Sequence, residues 1–271
     1  MPVVVRNAVR EWTRRTPAEE RIRFAIVLGV VAILGAAWTG ISSGTTWSFV
    51  WSSGTQARDL ASRMFPPDAS YGPSLLRPLV DTLHIATLGT ALGVLIALPL
   101  AFAAAHPTTP SRLLVRPFAL LVLVTSRSVN SIIWALFLVV VLGPGTVSGI
   151  LAIALRSVGF VGKLVYEAIE EAPTLPVLAV QATGAGRVQS LAYGLVPNLL
   201  PVMAGASVYR WEINIREATI LGLVGAGGIG MALQSSIDAL AWSRVSVILV
   251  AILATVVLAE WVSARVRRRF R

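Results

Sequence analysis

EEAPTLPVLAVQATGAGRVQSLAYGLVPNLLP, residues 170–201, is a stretch punctuated by proline and glycine in a chain that otherwise reads as apolar helix. Pro173 and Pro176 follow directly on an apolar run, and proline stops a helix from continuing through. A second apolar run begins near Leu191. The stretch is therefore a connection between two apolar helices, and its side of the membrane decides what it can contact.

The composition is that of a membrane protein. Of the 271 residues 55% are hydrophobic and 13% charged, with a mean hydropathy of +0.76, which makes the bilayer the expected solvent. The absence of cysteine excludes disulfides, cysteine-based metal sites and thiol catalysis. A net charge of +10 could indicate nucleic-acid binding, but the charges lie in short segments between apolar runs instead of on a soluble basic face.

Apolar runs of about one bilayer thickness predict six transmembrane helices. They cover residues 24–41, 82–105, 117–142, 146–165, 191–215 and 245–263. Arg127 lies inside the third run, and Gly143-Pro144-Gly145 forms a tight turn before the fourth. The first run has a long core and no apparent cleavage site, so it is predicted to be a span and not a signal peptide.

Basic residues predict the orientation of these spans. Fifteen of the 23 basic residues fall on one side, which by the positive-inside rule places both termini and residues 170–201 in the cytoplasm. These residues are Arg6, Arg10, Arg14, Arg15, Arg21, Arg23, Arg112, Arg116, Lys163, Arg187, Arg265, Arg267, Arg268, Arg269 and Arg271.

Two further tracts are assigned to the outer side. Residues 217–238 look apolar, but a seventh crossing would put the basic tail outside, so we predict a re-entrant or broken helical element there. Residues 42–74, with Trp47, Trp51 and the sequence RMFPPD, are predicted to form an outer loop with interfacial aromatics.

Two motifs resemble nucleotide sites without their context. GAGGIG, residues 225–230, matches a dinucleotide fingerprint but lacks the surrounding strand–helix–strand unit, which leaves close helix packing or a flexible break as the alternative. GFVGKL, residues 159–164, fails as a phosphate loop because Ser157 and Leu164 stand at required positions. Hydrolase and metal motifs are also missing from the sequence, and His84 and His106 are interpreted as membrane-edge residues.

The opening stretch resembles the cytoplasmic loop of ABC-importer permeases, whose pattern is E-A-A-x3-G-x9-I-x-L-P. Alignment on Gly184 places Ala179 at the first alanine and Pro197 at the last position. The chain departs from the pattern at three positions, namely Leu178, Val180 and Gly194, and Val196 is one methylene shorter than the leucine of the pattern. The resemblance implies a short helix that docks into a cleft on an ATPase subunit; an ordinary interspan loop is the alternative.

Other segments are similar to the permease of phosphonate-type ABC importers, from about residue 60 to the C-terminus. They are LLRPLVDTLHIATLGTALGVLIALPLAFAAA, GKLVYEAIEE, QATGAGR, YRWEINIREATILGLVGAGGIG and RMFPPD. Near Arg127 that family usually continues with Pro-Glu, where this chain has Asn130 and Ser131, a departure that bears on the substrate.

Small residues in the loop would allow another protein to approach closely, with charged residues beside them. The predicted ATPase-coupling residues are Glu170, Glu171, Ala179, Ala182, Thr183, Gly184, Ala185 and Arg187.

Ionisable residues within or at the edges of spans are candidates for a substrate path, because an unpaired charge there costs several kcal/mol. The candidates are Arg127, Asn130, Arg156, Arg210, Glu212, Asn214 and Arg216. Structural pairing of Glu212 with Arg210 or Arg216 is the alternative for that group. Arg127 and Arg156 have no carboxylate nearby in sequence, so we expect them to face a cavity. Cationic groups along a path suit an anion.

The predicted fold is all-α, a polytopic membrane protein with six transmembrane helices and the fold of type I ABC importer permeases. We expect a cytoplasmic segment at 1–23, the first span and outer loop at 24–74, a permease core at 75–265 and a basic tail at 266–271. The core contains the coupling segment 170–190 and the outer element 217–238.

The resemblance implies a transport subunit, not an enzyme, which imports phosphonate- or phosphite-like oxyanions by alternating access. Its implied partners are a second permease copy or a paralogue, two cytoplasmic ATPase subunits that bind ATP and Mg, and an external solute-binding protein. The alternatives are a permease for another small anion or an amino acid, and an intramembrane enzyme.

Overall fold

The computed structural model describes residues 3–6, 9–12 and 17–268, and almost all of them are helical. The predicted all-α class is confirmed, with one local addition: strand β1, Val3–Arg6, pairs antiparallel with β2, Val9–Trp12. The chain divides into two units, residues 1–59 and 60–271.

The first unit is built on two helices. Helix α1 runs from Pro17 to Gly44, and helix α2 begins at Trp47 and continues to Met64, so that its last five residues belong to the second unit. The predicted first span lies within α1, whose apolar side chains are exposed on all sides, as expected of a helix surrounded by lipid. The prediction that residues 42–74 form a loop is wrong, because α2 occupies eighteen of them. Helix α2 was not predicted because its mean hydropathy is low.

The second unit contains the remaining helices and forms the permease core. They are α3 Leu76–Ala104, α4 Val115–Ser128, α5 Ser131–Leu142, α6 Thr146–Glu171, α7 Leu175–Ala182, α8 Arg187–Ser190, α9 Val196–Leu221, α10 Ile229–Asp238 and α11 Trp242–Arg267. Short 3-10 segments at Ala69–Leu75 and Gly222–Val224 and a π-helical turn at Leu191–Leu195 complete it.

The third predicted span is broken. Within the described residues, five helical segments are long and apolar enough to cross a membrane, or six if α4 and α5 together count as one span. The two helices meet at 90°, so the third predicted span, residues 117–142, is a bent pair of helices and not one continuous helix. Val129 is extended, and the Asn130 side chain accepts a hydrogen bond from the Ile132 amide at 3.3 Å, which caps α5.

Small residues bring α3 and α6 into close contact. A Cβ added at Gly93 would lie 2.6 Å from the Ser157 Cβ, and one at Gly89 would lie 2.7 Å from an Ile153 methyl group. Lipid tails are as apolar as leucine, so membrane helices associate mainly through such close packing. The α3–α6 pair also packs on α9 and thereby brings the polar residues of all three helices together.

Glycines turn the chain back after α9. Gly225, Gly227 and Gly228 all have positive φ, which L side chains rarely adopt, and α10 follows. The Ile229 amide donates to Thr82 Oγ1 at 2.8 Å, which ties the turn to α3. A broken helical element is therefore present, but it begins at Gly222 and not at residue 217. The GAGGIG motif, residues 225–230, therefore forms this turn and the start of α10.

The start of α11 is held to the RMFPPD segment. Arg244 forms an ion pair with Asp68 at 3.5 Å and lies over the ring of Tyr71. A hydrogen bond from the Ser70 hydroxyl, helped by Arg244, lowers the pKa of the Asp68 carboxyl below its ordinary value. The carboxylate therefore stays ionised throughout the neutral pH range.

Candidate functional site

A buried ion cluster joins α6 to α9. Glu217 accepts from Arg210 Nη2 at 3.2 Å, and its other oxygen lies 3.6 Å from Arg156 Nε. Arg210 is 1% exposed, whereas the Arg156 side chain is 29% exposed. These three residues are called the Glu217 cluster. Because two guanidinium groups share one carboxylate, the Glu217 cluster has a net charge of +1. Arg156 is the more exposed of its two cations.

Polar side chains around Arg210 hold it in one position. Its Nε donates to Ser157 Oγ at 3.0 Å, and its guanidinium lies over the Phe160 ring at 5.1 Å. Asn214 donates to the same Ser157 oxygen at 3.0 Å and to Thr90 Oγ1 at 2.7 Å. This network links α3, α6 and α9.

A second cluster joins α9 to α11. Glu212 accepts from Arg216 at 3.2 Å, from Ser263 at 2.7 Å and from Arg267 at 2.9 Å. These four residues are called the Glu212 cluster. It also carries two cations on one carboxylate, and Arg216 is half exposed.

Pairing therefore accounts for most of the predicted charged residues. The expected Glu212–Arg216 pair is present, whereas Arg210 pairs with Glu217 and not with Glu212. The expectation that Arg156 has no carboxylate partner is wrong. Glu217 is 61 residues away along the chain, so only the packing of α6 on α9 brings it there.

Arg127 and Asn130 lie outside both clusters. Arg127 is exposed in the last turn of α4 and, within the described part of the chain, forms no ion pair. It borders a small cavity shared with Lys163 and Tyr166. Asn130 caps α5. The structure thus brings four of the seven predicted path residues into the two clusters, and Asn214 lies beside the Glu217 cluster, where it donates to Ser157.

The predicted docking segment, residues 170–190, contains α7, a glycine turn and α8. Ala179, Ala182, Thr183 and Gly184 are exposed, and Ala185 is partly buried. Gly184 has φ +84°, with nothing within 4 Å of an added Cβ, so its backbone conformation is what requires glycine. Thr183 donates its hydroxyl to the Val180 carbonyl at 2.7 Å.

Glu170 and Arg187 make contacts with the α3–α4 connection and the start of α4. Glu170 accepts from the His106 amide at 2.9 Å and pairs with Arg116 at 3.4 Å, while Arg187 donates to the Pro107 carbonyl at 3.3 Å. These contacts fasten the docking segment to the α3–α4 connection. Glu171 is exposed at the end of α6.

A cavity of about 550 Å³ lies between the docking segment and the α3–α4 connection. Its walls include Leu178, Leu191 and Leu195, with Arg112 and Arg187 among the polar lining residues. Gly194 allows this arrangement, because a Cβ there would lie 2.7 Å from the Val177 Cα. The departure from isoleucine at this position thus has a packing reason.

Several members of the clusters were missed by sequence reasoning. Glu217, Thr90, Ser157 and Ser263 were not among the predicted path residues, and Arg267 was assigned only to the cytoplasmic basic residues. Polar residues at Thr90 and Ser157, inside long apolar runs, were the available signal.

Comparison with known proteins agrees with this architecture. Residues 89–271 match the family described as binding-protein-dependent transport system inner membrane component. The phosphite transport system permease protein PtxC of Stutzerimonas stutzeri is 40% identical over 247 residues, which cover 91% of this chain and 88% of that protein. The putative phosphite transport system permease protein HtxC of the same organism is 35% identical over 274 residues, which cover 98% of this chain and 91% of that protein.

Solved structures share the fold at lower identity. An inward-facing structure of the MetNI methionine ABC transporter superposes with a TM-score of 0.62 at 23% identity, covering 73% of this chain and 96% of that chain. The crystal structure of an amino acid ABC transporter with histidines superposes with a TM-score of 0.64 at 16% identity, covering 74% of this chain and 96% of that chain. With its membrane helices and its family match over most of its length, the chain belongs to the binding-protein-dependent transport system inner membrane components, the multi-pass permease subunits of ABC importers.

Proposed function

We propose that this permease imports phosphite- or phosphonate-like oxyanions. The observation that carries the proposal is the similarity to PtxC, a phosphite permease, over nearly the full length of both chains. HtxC supports the same substrate class, and the PhnE phosphate-import permease of Mycolicibacterium smegmatis is 38% identical over 77% of this chain and 39% of its own length.

The two clusters suit an anionic substrate. Each keeps a net positive charge, and three of their cations are partly exposed, namely Arg156, Arg216 and Arg267. A planar guanidinium can contact two oxygens of a phosphite or phosphonate at once. In this proposal Arg156 makes a transient contact with the passing anion, while Arg210 and Asn214 keep the cluster in place.

The docking segment is the proposed contact for the ATPase. Its exposed side, with Ala179, Ala182 and Gly184, would meet the partner, while Glu170 and Arg187 hold the segment on the permease. Two ATPase subunits would bind ATP and Mg, and their closure would drive alternating access. The outer loops would receive substrate from a solute-binding protein, and both termini would be cytoplasmic.

We further propose that two copies of this chain surround the path at a two-fold axis. Pairing with a paralogous permease is the alternative. Co-expression of the chain with two different affinity tags separates the two, because only a homodimer retains both tags on one particle.

Uptake into proteoliposomes tests the function. The permease is reconstituted with its cognate ATPase and binding protein, and phosphite, a phosphonate, phosphate and an amino acid are compared. We expect ATP-dependent uptake of phosphite or the phosphonate in preference to the amino acid. Uptake of the amino acid alone would contradict the proposed substrate class. Uptake of phosphate alone would show that the permease carries phosphate and neither phosphite nor the phosphonate.

A further inference from the structure

Helix α2 has two chemically distinct sides. At 100° per residue, one side carries only polar residues, namely Ser48, Ser52, Thr55, Gln56, Asp59, Ser62 and Arg63. The opposite side carries the large apolar residues Trp47, Phe49, Val50, Trp51, Leu60 and Met64, together with Ala57 and Ala61, and is interrupted by Ser53, Gly54 and Arg58. This division is typical of a helix that lies between an apolar and an aqueous phase.

Among the residues that the structure describes, none covers the apolar side of α2. The helix has no buried residue, and Trp51 is 82% exposed, Phe49 64% and Val50 47%. Exposed aromatic and aliphatic side chains in such a row indicate a surface that meets something other than water.

The connection to α1 indicates that this surface meets lipid. Only Thr45 and Thr46 separate the two helices, so α2 begins where the membrane-spanning α1 ends. Trp47 packs against Trp38 of α1, with ring centroids 5.9 Å apart, so the beginning of α2 lies beside the last turns of the span. Tryptophan is enriched at the level of the lipid headgroups.

Length and charge place α2 along the membrane surface. It is not among the described helices that are long and apolar enough to cross a membrane, and Arg58, Asp59 and Arg63 lie in its second half. Arg58 is near the border of the apolar side, where a long side chain can extend to the headgroups. We propose that α2 lies in the membrane–water interface, with its apolar side in the lipid and its polar side in water.

Spin-label accessibility tests the proposal, and the chain has no cysteine to remove. Single variants Ala57→Cys and Ala61→Cys label the apolar side, and Thr55→Cys and Gln56→Cys label the polar side. The full-length protein is reconstituted into phosphatidylethanolamine–phosphatidylglycerol vesicles. Collision with oxygen, which partitions into lipid, is compared with collision with a water-soluble nickel chelate.

We expect the oxygen-to-nickel accessibility ratio to be about threefold or more higher at the apolar positions than at the polar ones. Ala36→Cys in α1 provides the reference value for a lipid-facing site. Low accessibility to both reagents at positions 57 and 61 would mean that a protein, such as a second copy, covers the surface. High nickel accessibility on both sides would mean that α2 stands in water. Either result overturns the proposal, and neither depends on which substrate is carried.

Discussion

Arg156 and Arg210 show how the surroundings give one residue type two roles. Arg210 is buried, and its neighbours Ser157, Phe160 and Glu217 leave it little freedom. Arg156 shares the same carboxylate at a longer distance and remains partly exposed. We infer that Arg210 is structural and Arg156 available to substrate, since a buried charge that loses its partner is strongly destabilising.

The first prediction separates these roles. Arg156→Ala should leave the yield and basal ATP hydrolysis of the complex near normal but lower substrate uptake about tenfold, equivalent to roughly 1.4 kcal/mol in a barrier. Arg156→Lys should recover part of the loss because charge, but not the planar fork, is retained. Arg210→Ala should instead reduce protein yield, because it leaves Glu217 with one weak partner.

Arg127→Ala is the matched arginine control, since its guanidinium lies outside the Glu217 cluster. We expect a smaller loss of uptake than in Arg156→Ala. Equal uptake by wild type and Arg156→Ala would show that Arg156 does not face the path.

The second prediction concerns Gly184 in the docking segment. Gly184→Glu should abolish ATPase co-purification and uptake, because it places a charged side chain on the proposed contact surface. Gly184→Asn is the control for backbone strain, because asparagine tolerates left-handed φ better than most residues. It should retain most ATPase binding. Normal assembly and uptake in Gly184→Glu would contradict the docking assignment.

At the scale of elements, the packing of α9 against the glycine turn is the tightest contact. A Cβ on Gly230 would lie 2.1 Å from the Thr219 carbonyl oxygen, and one on Gly222 would lie 2.5 Å from the Gly230 Cα. The helix and the turn therefore approach with backbone against backbone. Because α9 carries residues of both clusters, a shift of this contact would move Glu212 and Glu217 together.

The third prediction tests this contact. Gly230→Ala should destabilise the detergent-extracted protein by about 1–3 kcal/mol, the usual cost of overpacking. The measurement is a thermal shift with size-exclusion recovery. Gly205→Ala is the control, because Gly205 lies in α9 with nothing within 4 Å of an added Cβ. It should be neutral or stabilising by about 0.5–1 kcal/mol, since alanine favours helix. An equal effect of both changes would rule out a special role for the turn.

At the scale of the whole molecule, orientation determines which face meets the ATPase. The distribution of basic residues predicts, by the positive-inside rule, that the docking segment is cytoplasmic. Cysteine labelling of the docking segment tests this orientation, and it requires an exposed position. Ser190 is fully buried, whereas Val188 is 80% exposed. A cysteine at 190 would resist labelling from either side.

The fourth prediction is therefore made for two exposed positions. In intact cells, Gln56→Cys should react with a membrane-impermeant maleimide, whereas Val188→Cys should react only after the membrane is opened. The two single variants share the cysteine-free background, so each is the control for the other. Labelling of Val188→Cys from outside would reverse the orientation and remove the docking role.

Local signals in the sequence were enough to establish the class of molecule. Apolar composition identified the membrane, run length located five spans and the bent pair α4–α5, and proline and glycine located the break between α6 and α9. Each of these properties adds up over neighbouring residues, so it can be summed along the chain without knowledge of the fold. Residue patterns also identified the family.

Only the tertiary structure decided how the polar residues are used. Glu217 pairs with Arg156, and Glu170 and Arg187 hold the docking segment on the α3–α4 connection. The partners of these ion pairs and hydrogen bonds are distant in the sequence, and the helices meet through glycine and serine contacts that hydropathy does not register. A buried charge takes whichever partner packing brings within reach, and that choice is a property of the folded molecule.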